Sequence, residues 1–178
     1  MYVAASLLNP TASRQTEEYW AWLEGHCGLA GIKLTPLPHF SWQGASEYHL
    51  GKAEEVLKEL ATRQSPFTVQ ISGFGIFPGE KPVLFLHLVK NRQLLELHEE
   101  VWKRLYPFAV GINEYYDPQQ WVPHVTLAYR DVTPENISCA LQVLAFQPVS
   151  IHIVVDHIAL IYEINGEIGI KFRYDFSG

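Results

Sequence analysis

Apolar residues recur along this chain with two periods. Stretches that repeat every second position read as strands, and stretches that repeat every third or fourth read as helices. Tyr2 to Leu8 is a short apolar run closed by Asn9-Pro10, as a buried strand would be. Thr11 to Glu24 places Tyr19, Trp20 and Leu23 at helical spacing, with Ser13 as a candidate N-cap. Leu34 to Gln43 reads as a second strand, and Lys52 to Gln64 as a helix with Val56, Leu57 and Leu60 on one face. Phe67 to Phe77 alternates: Phe67, Val69 and Ile71 form its core set, with Thr68, Gln70, Ser72 and, on the same count, Phe74 opposite. After the turn Pro78-Gly79-Glu80-Lys81, Val83 to Lys90 turns Leu84, Leu86 and Leu88 inward and Phe85 and His87 outward. Arg92 to Leu105 is an amphipathic helix. Tyr106 to Gln120, rich in Tyr, Pro, Asn and Asp, reads as a loop that could serve as a flap.

Trp121 to Tyr129 is another strand. Thr133 to Phe146 is a helix with Thr133 as N-cap and Pro134 at the first helical position. Ile151 to Tyr162 is apolar on both faces and reads as one strand. Asn165-Gly166 is a hairpin signal. Glu167 to Phe176 then alternates, with Ile168, Ile170, Phe172, Tyr174 and Phe176 on one face and Lys171, Arg173 and Asp175 on the other. About seven strands and four helices result, with tight turns between neighbouring strands. That pattern predicts a single α+β domain over residues 1–178 with largely antiparallel sheets.

Two of these strands share a chemical pattern. Pro38-His39-Phe40-Ser41-Trp42 and Pro123-His124-Val125-Thr126-Leu127 both read Pro-His-apolar-hydroxyl-apolar. Residues i and i+2 share a face of a strand, so His39 sits beside Ser41 and His124 beside Thr126. The bulky neighbours point to the other side. Among eight histidines, none of the remaining six has Ser or Thr two positions on. The two copies lie 85 residues apart, one per half of the chain.

Composition narrows the partners. At 178 residues, 48% hydrophobic and 18% charged, the chain is long and apolar enough for a real core. A net charge of −6 argues against a broad surface for duplex nucleic acid, but leaves room for a small nucleotide in a locally basic groove. No apolar run reaches the ~18 residues of a membrane span. The apolar opening has no basic lead of the secretory kind. Cys27 and Cys139 are too few for a disulfide framework. Reduced thiols, a cytoplasmic location and a monomer are therefore expected. His98-Glu99-Glu100-Val101-Trp102 has Trp where a metalloprotease helix needs its second His, and His152 and His157 differ in strand parity. No metal or other cofactor is expected.

At the paired motifs the chain resembles the 2H phosphoesterase superfamily, which includes the LigT-type 2′,3′-cyclic nucleotide phosphodiesterases known as 2′-5′ RNA ligases. The motifs that carry the likeness are His39-Phe40-Ser41-Trp42 and His124-Val125-Thr126-Leu127. The opening strand and the strand pair Phe67–Leu88 extend it over most of the chain. Ser41 stands where Thr is commoner, which keeps the hydroxyl. The resemblance implies two pseudo-symmetric lobes around a central groove, with helices outside.

The chemistry suits such a pair. Opening a 2′,3′-cyclic phosphate needs a base for water on one side of phosphorus and an acid for the leaving sugar oxygen on the other. His39 and His124 are the candidates, since imidazole serves both roles near neutral pH. Ser41 and Thr126 would donate to the non-bridging phosphate oxygens. Phe85, His87, Tyr2, Lys171 and Arg173 are candidates for the substrate-lining set. His26, His49, His98 and His152 read as surface or edge residues; His157 has no assignable face. The expected ligand is a small nucleotide or RNA end bearing a cyclic phosphate or 2′-5′ linkage. The competing expectation is a non-catalytic module that holds the same phosphate.

Overall fold

Every strand pair in the computed structural model, which describes residues 1–178, is antiparallel. Numbered in chain order, the strands are β1 (Tyr2–Leu7), β2 (His39–Tyr48), β3 (Phe67–Phe77), β4 (Val83–Leu88), β5 (Ala109–Ile112), β6 (His124–Ala128), β7 (Ile151–Val155), β8 (His157–Ile164) and β9 (Glu167–Asp175). They form a five-stranded sheet in the order β5-β2-β1-β8-β9 and a four-stranded sheet in the order β6-β4-β3-β7. The helices are α1 (Pro10–Cys27), α2 (Leu50–Arg63), α3 (Arg92–Leu105) and α4 (Ile137–Ala145). α2 and α3 cover the larger sheet; α1 covers β6 and β7 and packs on α4. Forty buried residues from both sheets and all four helices make one contiguous apolar cluster. No helix is long and apolar enough to cross a membrane.

The alternation predicted the α+β class and the strand pairing, and the structure bears both out. It departs from the pattern where strands bulge or change sheet. The apolar run 151–162 is two strands, not one. The chain leaves β7 in the smaller sheet, passes Asp156 and enters β8 in the larger. The two-faced apolarity belongs to β8, which lies between β1 and β9 and is buried from His157 to Ile161. A bulge near Ser72 moves Phe74 to the core side, where it meets Tyr19 edge-on with ring centroids 5.4 Å apart. A second bulge at Lys171 breaks the face expected for β9: Phe172 pairs with core-facing Leu160, but Ile170 pairs with Ile161 on the opposite side.

Other boundaries shift for local reasons. Leu34 ends a short 3₁₀ turn, Gly31–Leu34, so the first motif strand begins at His39 itself. Asn9, not Ser13, precedes α1, with Pro10 at the first helical position. α4 starts at Ile137 because Asn136 folds back: its Oδ1 accepts from the Thr133 amide at 2.8 Å, and a turn replaces the expected first helical turn. The loop 106–120 contains β5, which pairs with β2.

The cysteines are also corrected. Cys27 at the end of α1 and Cys139 in α4 form a disulfide, their Cα atoms 5.7 Å apart across a sequence separation of 112. Sequence spacing could not show this, because only the packing of α1 on α4 brings the two sulfurs together. A second long-range tie joins the halves nearby. Asp131 Oδ2, just past β6, accepts the amides of Ala30 and Gly31 at 2.7 and 2.6 Å, fixing the segment that leads into β2.

Candidate active site

The two motif strands, β2 and β6, pack against each other where the sheets meet. Each histidine is held by the same local device. His39 Nδ1 lies 2.6 Å from the Leu37 carbonyl oxygen, and His124 Nδ1 lies 2.7 Å from that of Val122. A carbonyl only accepts, so Nδ1 carries the proton in both neutral rings and Nε2 keeps a free lone pair. The intervening Pro38 and Pro123 explain the repeat. Proline fixes its own φ and drives the preceding residue to extended geometry, which turns that residue's carbonyl toward the ring two positions on. The hydroxyl residues are held in a matched way through their main chain. Trp121 Nε1 donates to the Ser41 carbonyl at 3.2 Å, and Trp20 Nε1 to that of Thr126 at 3.1 Å.

Burial lowers the pKa of both imidazoles below the ordinary histidine value, with the carbonyl hydrogen bonds pulling the other way. His124 is lowered further by the charges of His39 and His87. His87 is the register partner of His124 on β4. That mutual influence places three imidazoles from two sheets in one electrostatic neighbourhood.

Aromatic rings wall the His124 side. Phe77 and Phe85 stack with centroids 4.2 Å apart, and Phe77 meets the His124 ring edge-on at 4.9 Å. Phe85 pairs with Thr126 but is 4% exposed, so the ring open to a ligand is half-buried Phe77, not Phe85 as the sequence suggested. Gly75 makes the stack possible. A Cβ there would stand inside the Phe85 ring, which is confined by Phe77 and His124 and has nowhere to retreat. Gly75→Ala should therefore cost about 1–3 kcal/mol of stability by overpacking. It should also impair the site more than a distant change of equal cost; denaturant unfolding and activity at matched folded fraction check this.

Residues 12–167 match the family model described as the 2′-5′ RNA ligase superfamily. The chain belongs to that superfamily. A Bacillus licheniformis protein named "Putative phosphoesterase" is 26% identical over 120 residues, 67% of this chain and 66% of that one. A Geobacillus thermodenitrificans protein of the same name is 25% identical over 130 residues, 71% and 70% of the two chains. The alignment thus spans just under two thirds of the first relative. Among solved structures, a Thermus thermophilus protein superposes with a TM-score of 0.75 at 18% identity, over 99% of this chain and 98% of that one. E. coli LigT complexed with 3′-AMP gives 0.63 at 15%, over 99% and 97%. At such identities these two show a shared fold. Family and fold together place this member of the 2′-5′ RNA ligase superfamily in the LigT-like fold, with two antiparallel sheets as expected.

Within this superfamily member the structure gathers His39, His124, His87, Ser41, Thr126 and Phe85, but not the whole expected set. Tyr2 lies on the helix-covered face of β1, with Ala4, and packs against the core, so it is withdrawn as a ligand contact. Lys171 is the extra residue of the β9 bulge and is exposed. Arg173 shares the face of Ser41, in one row through Ala159 and Ala5, but three strands away and paired with Asp175 at 3.1 Å. His98 is not a surface residue. It is 1% exposed, stacks on Trp121 at 3.6 Å between centroids, and its Nε2 meets the Trp42 carbonyl oxygen at 3.1 Å. Burial, the largest cause, pushes its pKa down to about 4. His157 is buried too: Nδ1 lies 2.6 Å from Asp156 Oδ1 and Nε2 accepts the Leu7 amide at 3.0 Å, which makes it a sheet-end staple.

Sequence reading missed Phe77, Tyr116, Trp20 and Trp121 as site residues. Phe77 was hidden by the bulge in β3. Tyr116 lay in the unassigned loop, and its ring covers Gly44 of β2. No group of three or more His, Cys, Asp or Glu side chains is placed to hold a metal ion.

Proposed function

We propose that this protein hydrolyses 2′,3′-cyclic phosphates of nucleotides or RNA ends, leaving a 2′-phosphate, with His39 and His124 as the acid–base pair. One observation carries the reading. Two imidazoles from two sheets each spend Nδ1 on a main-chain carbonyl and keep Nε2 free, each on a strand face shared with a hydroxyl. Water attacks phosphorus as one Nε2 takes its proton. The bond from phosphorus to the 3′ oxygen breaks, and that oxygen receives a proton from the other Nε2–H. With a 5′-hydroxyl in place of water, the same exchange joins a 2′-5′ linkage as the 3′ oxygen leaves and takes the proton. His124, whose charged form is opposed by burial and by both neighbouring imidazoles, suits the neutral base; His39 then suits the acid. Ser41 and Thr126 donate to the non-bridging oxygens, where charge sits in the transition state. Phe77 offers the base a stacking face. The chain acts as one domain and as a monomer.

Turnover of a 2′,3′-cyclic nucleotide in excess EDTA tests the reading; binding without turnover at any pH would leave only a phosphate-holding module. The pH profile tests the pair. The base must be neutral and the acid protonated, so kcat/KM rises through one pKa and falls through the other. Both pKa values lie below the ordinary value of about 6.5. The maximum is therefore expected on the acid side of about pH 6.5, whichever ring is the base. A kcat/KM still rising above pH 7 would contradict it.

A further inference from the structure

We propose that His87 and the open strip over Gly73 form a second phosphate subsite, which takes a phosphate ester on the 5′ oxygen of the nucleotide whose 2′,3′ edge lies between His39 and His124; this rests on the function proposed above. The strand ladder puts His87 there. The Leu88 amide donates to the Pro123 carbonyl at 3.1 Å, so Leu88 and Pro123 are a hydrogen-bonded pair. The next pair, His87 and His124, is therefore of the non-hydrogen-bonded kind, in which facing side chains stand closest. Six of the eight histidines engage a ring nitrogen with a protein group. His87 and His152 do not. His152 is exposed on the edge strand β7, but His87 is half-buried on β4, between β6 and β3. Neither of its ring nitrogens is sealed off, because the sole buried side-chain polar atom without a partner is Asp131 Oδ1. A neutral imidazole has one N–H to give, so His87 faces the site with a donor unspent.

The space next to it is shaped by glycines. Gly73 is the register partner of His87 on β3, and a Cβ there would meet nothing within 4 Å. One row along, Thr126–Phe85–Gly75 is closed: the Phe85 ring lies over Gly75, and Phe77 stacks on it at 4.2 Å. The row His124–His87–Gly73 is thus an open strip with an aromatic wall along one side. It also has a way out. β7 pairs with β3 only from Phe67 to Ile71, so past the bulge at exposed Ser72 strand β3 is the edge of its sheet. Neighbouring strands lie about 4.8 Å apart, so His124 and His87 present their rings roughly a ribose width apart. With the reacting phosphate at His124, the 5′ oxygen of the same sugar comes to His87, and the group attached to it lies over Gly73. A phosphate there accepts the His87 N–H; a 5′-hydroxyl is a weaker acceptor. A free nucleotide carries that phosphate as a monoester. An RNA end carries it as a diester, and the rest of its chain leaves over the open edge.

The test compares kcat/KM for three nucleoside 2′,3′-cyclic phosphates: one with a 5′-hydroxyl, one with a 5′-phosphate, and one joined through its 5′ phosphate to a second nucleoside. Wild type should favour the phosphorylated substrates by about 10-fold or more, the worth of a hydrogen bond to a charged group. His87→Ala should erase that preference through KM rather than kcat, with unfolding curves confirming the fold. His87→Asn, which keeps an N–H donor, should retain part of it. Gly73→Leu fills the strip, leaves the imidazole in place, and should erase the preference as well. If only one phosphorylated substrate is favoured, that one names the source of the phosphate. No preference in the wild type, a preference unchanged in His87→Ala or Gly73→Leu, or an equal loss on all three substrates would each overturn the subsite. Calorimetry separates it from the hydrolase reading. A nucleoside 2′,5′-bisphosphate should bind about 10-fold tighter than the 2′-phosphate, and His87→Ala should abolish the difference. That result without turnover sinks the hydrolase and leaves the subsite; turnover without that result does the reverse.

Discussion

Alanine at His39 or at His124 is expected to lower kcat/KM for a 2′,3′-cyclic nucleotide by about 10²–10⁴-fold in excess EDTA, the range for a lost general acid or base. The size follows from how each ring is held. Leu37 and Val122 fix the orientation and the tautomer, so each Nε2 arrives in position with no reorganisation left to make. No neighbouring group can replace either one. His87 is the only other imidazole brought beside His124 by strand register, and it extends from β4 on the same wall rather than from the opposite sheet. His87→Ala should therefore cost far less than His124→Ala. The double variant His39→Ala/His124→Ala should be little worse than either single one, because acid and base act in one step and their losses do not add. Both histidines are half-buried on strands whose apolar sides fill the core, so the fold should survive both changes. Undiminished activity in either single variant, with unfolding curves matching the wild type, would end the acid–base proposal.

Reducing the Cys27–Cys139 disulfide is expected to lower the unfolding free energy by about 2–5 kcal/mol, and Tm by roughly 5–15 °C. The bridge closes a loop spanning 112 positions, and both motif strands lie inside it. A loop of that length places the entropic gain toward the upper end of the range. The geometry also gives the bridge a mechanical role. It clamps α4 to α1, the helix whose Trp20 holds the Thr126 carbonyl. The variant Cys27→Ser/Cys139→Ser should melt at the temperature of the reduced wild type and be indifferent to reductant. A Tm unchanged by reduction would refute this account of its stability.

The candidate chemistry was far more legible in the sequence than the walls around it. Strand parity placed His39 with Ser41 and His124 with Thr126, and sent Phe40, Trp42, Val125 and Leu127 to the core, where all four are buried. Parity is a local property, and it holds wherever the ladder is regular. It failed where the ladder is not. One extra residue in β3 carried Phe77, rather than Phe74, to the site. Another in β9 divided Ile170 from Phe172. A bulge reverses every later side chain while leaving the composition of the strand unremarkable. Tyr2 failed differently: both faces of β1 carry small or apolar residues, so nothing along the strand marks which face meets the helices. His98 was misjudged because the charged residues around it are exposed, while its own ring fills the space against Trp121.

By itself, then, the sequence determined the α+β class, the antiparallel pairing and the two matched pairs of imidazole and hydroxyl, because each depends on periodicity within one short segment. Only the tertiary structure decided which ring walls the site, which carbonyls orient the imidazoles, that the Tyr116 ring covers Gly44, and that Cys27 meets Cys139. Those are contacts between segments distant along the chain, or consequences of a single inserted residue. Their energies come from burial and geometry that exist only after the two sheets have closed on each other.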